Sequence, residues 1–198
     1  MLNVHTEKVG NVWFGVAFND ERVYATTFGS SENSVMNSLR ESVPSDVPSQ
    51  RLEKASKFAE RVIAVLKDVY DGKDVSQNFS FETEFLSNYA RRVIEAVRSI
   101  PPGYVASYGE VAQAVGGSPR AVGRVMATNP FAPLCPCHRV VGSDFTLCGY
   151  GGGLDVKLAF LKRERRGYSS NKVIESDGRK LEVFPVESVL QTLEGRKR

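Results

Sequence analysis

Residues 107–128 read SYGEVAQAVGGSPRAVGRVMAT and carry the signals for two short helices joined by a tight turn. Ser107 is a suitable N-cap, and Glu110 follows three residues later, as in a capping box. A Gly-Gly pair separates helices predicted over 108–115 and 119–128, and a serine and a proline begin the second. The pattern predicts a helix-turn-helix whose second helix would be the recognition helix. An ordinary helical pair carries the same signals, so this stretch alone leaves DNA binding open.

The residues on the N-terminal side predict an α/β unit. Valine, threonine and aromatic residues fill 12–18 and 23–28 around a polar turn at 19–21, which predicts a β-hairpin. Apolar residues at helical spacing predict a short helix through Leu39 and longer helices over 52–70 and 85–100. The polar stretch 74–84 reads as a linker with an extended part.

The residues on the C-terminal side predict mixed structure. They form an irregular apolar stretch (131–141), a glycine cluster (149–153), a helix (154–166), a hairpin (172–186) and a basic tail (195–198). We therefore predict a mixed α/β (α+β) fold. Its parts are an N-terminal domain with a small antiparallel sheet and helices (1–78), a winged-helix-like domain with the helix-turn-helix (79–170) and a C-terminal extension (171–198).

Composition narrows the class of protein. The chain has 198 residues, of which 41% are hydrophobic and 25% charged, as in ordinary globular proteins. No apolar run reaches the length of a membrane span, and the first residues lack a signal-peptide core. Three cysteines, all within 135–148, argue against a disulfide framework. We expect a cytoplasmic protein with no membrane partner.

The net charge of +3 is unevenly distributed. Residues 1–88 carry 9 Lys and Arg against 13 Asp and Glu, whereas residues 89–168 carry 11 against 5. An acidic half joined to a basic half indicates a polyanionic partner for the second half. Chance clustering of solvated charges would give the same distribution, so charge alone does not decide between them.

Chemistry concentrates at Cys137, which His138 and Arg139 follow directly. Adjacent cations favour the thiolate, the nucleophilic form of cysteine. A buried structural cysteine is one alternative, and a metal site that also uses Cys135 and Cys148 is another. Neighbouring Cys137 and His138 cannot easily reach one ion, however, and the spacing matches no standard zinc pattern. The residues favour an activated nucleophile.

The pentapeptide Pro136-Cys137-His138-Arg139-Val140 is the signature of the O6-alkylguanine-DNA alkyltransferases, and residues 85–166 resemble that family in order and spacing. Further matching motifs are Ile100-Pro101-Pro102-Gly103, Ser107-Tyr108-Gly109, Arg120-Ala121-Val122-Gly123, Asn129-Pro130, Gly149-Tyr150-Gly151-Gly152-Gly153-Leu154 and the helix from Lys157 to Glu164.

The resemblance implies a suicide repair reaction. Cys137 would accept the alkyl group from O6 of guanine in DNA, and O4-methylthymine would be a further substrate. His138 would generate the thiolate through a water, and Glu164 would orient His138. Tyr108 would donate a proton to the leaving guanine. Asn129 would tie the turn between the recognition helix and the active-site residues.

The resemblance also implies how duplex DNA is bound. The recognition helix would enter the minor groove, and the damaged nucleotide would flip out of the stack. Arg120 would fill the vacated space, and the remaining contacts would come from Ala121, Gly123, Arg124, Arg139, Tyr150 and Gly151. Gly151 stands where many relatives have serine, so a side-chain hydroxyl contact is lost there while the backbone N–H is kept.

Three other functions compete with this one. A non-catalytic lesion-binding relative would lack the cysteine at position 137, and a plain winged-helix regulator would not need the Cys-His-Arg run. A small zinc protein would use the cysteine cluster. The N-terminal domain contains no cysteine and only His5, so the zinc site of some family members is not supported. We therefore expect a monomer without cofactor or metal.

Overall fold

The computed structural model describes residues 1–75 and 79–195. The predicted domain boundary at 78 and the last three residues of the predicted basic tail lie outside the described residues. The described chain divides into two compact units. Unit 1 contains Met1–Tyr70, the described part of Asp74–Leu86, and Asn129–Leu134, and unit 2 contains Asp71–Lys73, Ser87–Thr128 and the chain from Cys135 onward.

Unit 1 is built on a mixed sheet with the strand order β4-β1-β2-β3-β5. Its strands are β1 (Leu2–Val9), β2 (Val12–Asn19), β3 (Arg22–Gly29), β4 (Ser49–Arg51) and β5 (Ser80–Phe81). The predicted hairpin is confirmed as β2–β3. The three central strands are antiparallel, as predicted, but the two short edge strands run parallel to their neighbours.

Two helices cover this sheet, α1 (Glu32–Ser42) and α2 (Lys57–Tyr70). Ser31 caps α1 by accepting a hydrogen bond from the backbone N–H of Ser34. The helix predicted from residue 52 begins only at Lys57, because the preceding residues run along β1. There the N–H of Leu52 donates to the carbonyl of Val4 at 2.9 Å. Backbone pairing with a distant strand therefore overrides the helical spacing.

Unit 2 carries the predicted helix-turn-helix. In chain order it contains α3 (Asn88–Arg98), β6 (Tyr104–Ser107), α4 (Tyr108–Val115), α5 (Pro119–Ala127), a 3-10 turn (Cys137–Arg139), β7 (Val140–Val141), α6 (Leu154–Arg163), β8 (Lys172–Ser176), β9 (Arg179–Pro185) and α7 (Val186–Gly195). The capping box is present, since the Ser107 hydroxyl accepts from the N–H of Glu110 while the Glu110 carboxylate accepts from the N–H of Ser107. The two helices, α4 and α5, are confirmed.

Residues 172–195 are integral to unit 2, although the sequence places them in a separate extension. The predicted hairpin is confirmed as β8–β9, and β9 pairs antiparallel with β6 to give the strand order β7-β6-β9-β8. Helix α7 then packs into an apolar cluster formed by Val105, Val141, Leu147, Leu161, Val186, Val189 and Leu190. The end of the chain therefore completes the core behind the helix-turn-helix.

Substitution of Leu181 tests this structural role. Leu181 lies on β9 and is 1% exposed, so Leu181→Ala is expected to lower the free energy of unfolding by about 2–5 kcal/mol through loss of buried surface and a cavity. Val173→Ala on β8 is the matched control, because Val173 is 61% exposed and its replacement should cost within about 0.5 kcal/mol. Denaturant unfolding measures both, and equal small effects would contradict a core role for the extension.

Candidate active site

A cavity of about 500 Å³ opens in unit 2 between the helix-turn-helix and the residues that precede α6. Its walls come from α4, α5, the 3-10 turn and the loop 142–153, which we call the cavity loop. The lining residues from these elements include Tyr108, Gly123, Met126, Cys137, Cys148 and Tyr150. The volume lies in the range that small-molecule sites occupy.

Cys137 stands at the wall of this cavity, 8% exposed, at the first position of the 3-10 turn. Its N–H donates to the carbonyl of Cys135 at 2.8 Å, which holds the turn behind the cavity wall. The Tyr150 hydroxyl is hydrogen-bonded to the Cys137 sulfur from the cavity loop. Burial, followed by the proximity of Cys137, raises the pKa of Tyr150, so this hydroxyl stays protonated and donates.

A buried polar network begins at the residue after the cysteine. His138 and Glu164 are both 0% exposed, and Nε2 of His138 lies 2.8 Å from Oε1 of Glu164. Arg139 holds the same carboxylate with two bonds, Nε to Oε2 at 2.9 Å and an Nη to Oε1 at 2.8 Å. Glu164 stands just after α6 as its C-cap, so the end of this helix places the carboxylate.

The charges of this network fix the tautomer of His138. Burial opposes ionisation of Glu164, but His138 and Arg139 prevail and lower its pKa to about 2, so the carboxylate is charged. Burial lowers the pKa of His138, which is therefore neutral near pH 7. A neutral imidazole that donates from Nε2 to a carboxylate keeps an acceptor lone pair on Nδ1. This Nδ1 is buried and has no hydrogen-bond partner among the described residues.

Lys157 is a site residue that the sequence analysis did not assign a role. It is 0% exposed on α6, and its Nζ donates to the backbone carbonyls of Val140 (2.6 Å) and Leu147 (2.5 Å). Burial lowers its pKa to about 8, while Cys137 and Cys148 act in the opposite direction. The sequence expectation that the neighbouring cations act on Cys137 is therefore corrected. His138 is neutral, and the charge of Arg139 is paired with that of Glu164. The ammonium of Lys157 is therefore the cation whose charge acts on the Cys137 thiol.

Tyr108 also lines the cavity, as the first residue of α4. Burial, followed by the proximity of Cys148 and Cys137, raises the pKa of its hydroxyl to about 12. The phenol is therefore a proton donor throughout the neutral range. The signal for this role in the sequence is the motif Ser107-Tyr108-Gly109, through which the chain resembles the alkyltransferases.

The other predicted DNA contacts fall into two groups. Arg120 and Arg124 are exposed on α5, while Ala121 is half-buried on the same helix. Gly123 and Gly151 line the cavity, and a Cβ at Gly123 would meet Tyr108 at 3.9 Å. The structure thus brings two of these residues to the cavity and leaves both arginines on the exposed part of the helix.

Arg139 is placed differently from the sequence prediction, whereas Asn129 lies in the turn after α5. Arg139 is 7% exposed, and besides Glu164 it binds the carbonyl of Ile100 at 2.6 Å. Its guanidinium is therefore engaged inside the protein, and a direct contact with DNA does not fit this burial. Asn129 belongs to unit 1, and its side-chain oxygen accepts from the N–H of Phe131 at 3.0 Å. This bond holds the turn that directly follows α5, which is the place that the sequence prediction gives to Asn129.

No group of three or more histidine, cysteine or acidic residues that could hold a metal ion occurs within residues 1–75 and 79–195. In the same described ranges, each helix is too short or too polar for a membrane crossing.

Comparisons with known proteins point to one family. The sequence model of the "6-O-methylguanine DNA methyltransferase, DNA binding domain" matches residues 88–166. A methylated-DNA–protein-cysteine methyltransferase of Methanocaldococcus jannaschii is 30% identical over 165 residues, which cover 83% of this chain and 95% of that protein. The corresponding protein of Mycolicibacterium paratuberculosis is 50% identical over 82 residues, so the match spans 40% of this chain and only half of that relative.

Solved structures agree with the sequence comparisons. The O6-methylguanine-DNA methyltransferase from Pyrococcus kodakaraensis is similar with a TM-score of 0.62 and 31% identity, covering 83% of this chain and 99% of that one. Mycobacterium tuberculosis OGT in complex with DNA gives a TM-score of 0.65 and 26% identity, covering 82% and 92%. The mixed fold predicted from the sequence is confirmed by these neighbours. With a relative of 30% identity matched over nearly its whole length, the chain belongs to the methylated-DNA–protein-cysteine methyltransferase family.

Proposed function

We propose that the protein repairs DNA directly, by moving a methyl or other alkyl group from O6 of guanine to the sulfur of Cys137. One observation carries this proposal. The Cys137 thiol lies at the wall of a cavity beside the helix-turn-helix, and the next residue is a neutral His138 fixed by a charged Glu164. A nucleophile, a base and an orienting carboxylate are the parts that activate a cysteine.

The proposed reaction has a defined acceptor for the thiol proton, an acceptor for the alkyl group and a proton donor for the guanine. Nδ1 of His138 takes the thiol proton through a water, and the charge of the imidazolium is held by Glu164. The sulfur then attacks the alkyl carbon in line, so that an S–C bond forms as the O–C bond breaks. Tyr108 donates its proton to the departing guanine, which limits negative charge on the base. The thioether product is stable to cellular reductants, so each chain reacts once.

The helix-turn-helix supports a duplex DNA partner. Exposed Arg120 and Arg124 on α5 supply positive charge, and the O6 atom of a stacked guanine is out of reach of a cavity thiol. We therefore propose that α5 binds the minor groove, that the damaged nucleotide flips into the cavity and that Arg120 occupies the gap it leaves. O4-methylthymine would enter the same cavity. The protein would act as a cytoplasmic monomer without a cofactor.

A lesion-binding protein that performs no transfer is the competing function from another class. Its cavity could hold an alkylated base without any nucleophile. The buried pair of His138 and Glu164 favours the transferase, because a binding pocket gains nothing from a fixed, neutral imidazole on the residue after the thiol. Burying a charged carboxylate costs desolvation free energy, and such buried ionisable pairs cluster at reactive sites.

Label transfer tests the proposal. Duplex DNA that carries a labelled O6-methylguanine is incubated with the full chain, and label on protein is measured against Cys137→Ala. We expect stoichiometric labelling that the variant abolishes while its affinity for the damaged duplex stays within about threefold, since removing the sulfur leaves the recognition helix intact. Cys135→Ala is the matched control and should transfer normally. Tight binding without labelling of the unsubstituted chain would favour the lesion-binding function.

A further inference from the structure

A second thiol lines the same cavity as Cys137. Cys148 stands in the cavity loop, where it is exposed, while Cys137 lines the same cavity from the 3-10 turn. The reaction proposed above uses only one sulfur, so this second cysteine has no part in it. Two thiols on one cavity of about 500 Å³ define a dithiol site.

The backbone at Cys148 is unusual for a cysteine. Its φ is +55°, in the left-handed region that glycine adopts without cost and other residues occupy only with strain. The preceding turn is fixed by two bonds, from the N–H of Gly142 to the carbonyl of Thr146 (2.8 Å) and from the N–H of Phe145 to the carbonyl of Gly142 (3.0 Å). The hydroxyl of Thr146 lies 3.7 Å from the Cys148 sulfur. The loop thus presents a thiol at a position where glycine would be more stable.

The two sulfurs share their electrostatic surroundings. Both act on the hydroxyl of Tyr108 and on the ammonium of Lys157, which places both thiols near the same two groups. Cys148 is exposed and Cys137 lines the same cavity, so both thiols are accessible to a small oxidant. Cys135 differs in burial and in its contacts, because it is 0% exposed and its sulfur lies 3.8 Å from the carbonyl oxygen of Ile94.

We propose that Cys137 and Cys148 form a reversible intramolecular disulfide that protects the alkyl acceptor from irreversible oxidation. The proposal rests on the assignment of Cys137 as that acceptor. A hydroperoxide oxidises one thiolate to the sulfenic acid, its O–O bond breaking as an S–O bond forms. The second thiolate attacks that sulfur, hydroxide leaves as water, and the S–S bond closes. A low-molecular-weight dithiol returns the two electrons and restores both thiols.

The disulfide would block repair while it lasts. Its formation removes the nucleophile and brings the two Cα atoms to within about 7 Å, which draws the cavity loop over the space for the base. Without Cys148, the sulfenic acid of Cys137 has no partner in the cavity and proceeds to the sulfinic acid, which dithiols do not reduce. The second thiol therefore converts permanent loss of the acceptor into a temporary one.

Peptide mapping and activity measured together test the proposal. The reduced full chain is treated with stoichiometric hydrogen peroxide, capped with iodoacetamide and cut with trypsin without reductant. Cys148 falls in the peptide 140–157, and Cys135 and Cys137 fall in 125–139, so Cys135→Ala assigns the bond. We expect the two peptides to be linked, and label transfer to fall by about tenfold and return with dithiothreitol.

The variant Cys148→Ala separates protection from simple oxidation. With each protein scaled to its own untreated transfer, this variant should lose activity on peroxide treatment and not regain it with dithiothreitol, whereas Cys135→Ala should recover as the unsubstituted chain does. Equal recovery of Cys148→Ala, or absence of the linked peptide, would overturn the proposal. A reduced, untreated chain that accepts no methyl group would overturn the transferase function instead, and the linked peptide would still decide whether the disulfide forms.

Discussion

Glu164→Gln is expected to slow label transfer by about 10²–10⁴-fold and to lower the free energy of unfolding by about 3–5 kcal/mol. The amide can still accept the bond from His138, but it cannot hold the charge of an imidazolium during proton transfer. It also leaves the buried guanidinium of Arg139 without its counter-charge. Single-turnover transfer and denaturant unfolding measure the two effects, with exposed Glu95→Gln on α3 as the control.

The stability effect of Glu164→Gln should depend on pH. Because the pKa of Glu164 is lowered in the folded protein to about 2 from 4.5, its contribution is present above about pH 4.5 and is lost as the pH falls toward 2. The unfolding free energies of the variant and the unsubstituted chain should therefore converge over that range. A difference that stayed constant from pH 7 to pH 2 would show that the carboxylate is not the stabilising charge.

Tyr108→Phe is expected to lower the transfer rate by about 10²–10⁴-fold, the usual contribution of a positioned general acid. The substitution keeps the ring in the cavity wall and removes only the hydroxyl, so binding of damaged DNA and stability should change little. Single-turnover rates on O6-methylguanine duplexes provide the measurement. Because the pKa of Tyr108 is raised to about 12, the rate of the unsubstituted chain should show no loss from its ionisation up to about pH 10.

Tyr168→Phe is the control for this substitution. Tyr168 is 40% exposed and stacks on Tyr104 with ring centroids 4.9 Å apart. It belongs to unit 2, as Tyr108 does, but it is not among the residues that line the cavity. Its hydroxyl should be dispensable for transfer. If Tyr108→Phe reacted as fast as Tyr168→Phe, the cavity tyrosine would have a packing role and the proton would come from water.

Local signals explain why part of the fold could be predicted. The serine caps and the glycine pair define α4 and α5 within the stretch that forms them, and the β2–β3 hairpin follows from its own turn. Strands β6 and β7 contain only four and two residues, and their partners are distant in sequence. Nothing within such short segments distinguishes them from loops, so only tertiary pairing defines them.

The site shows the same division between local and tertiary information. The pentapeptide around Cys137 identifies the nucleophile, because the chemistry requires those side chains side by side. The misplacement of Arg139 arises because its carboxylate partner stands 25 residues away, and a lone arginine in a sequence is usually exposed. Lys157 went unassigned for the same reason, since its two carbonyl partners are backbone atoms that no side-chain pattern reveals.

The pairing of β6 with β9 determines when the fold can be completed during synthesis. Residues 104–107 leave the ribosome well before residues 179–185, and at about 5–20 residues per second this interval lasts about 4–15 s. Until then β6 lacks its partner β9, and the apolar cluster lacks the residues that α7 supplies. Unit 1 is also incomplete until residues 129–134 have been made, because Phe131 pairs with Thr26 on β3. The cavity's supporting core, and with it the proposed repair activity, is therefore complete only after residues 179–195 have been made.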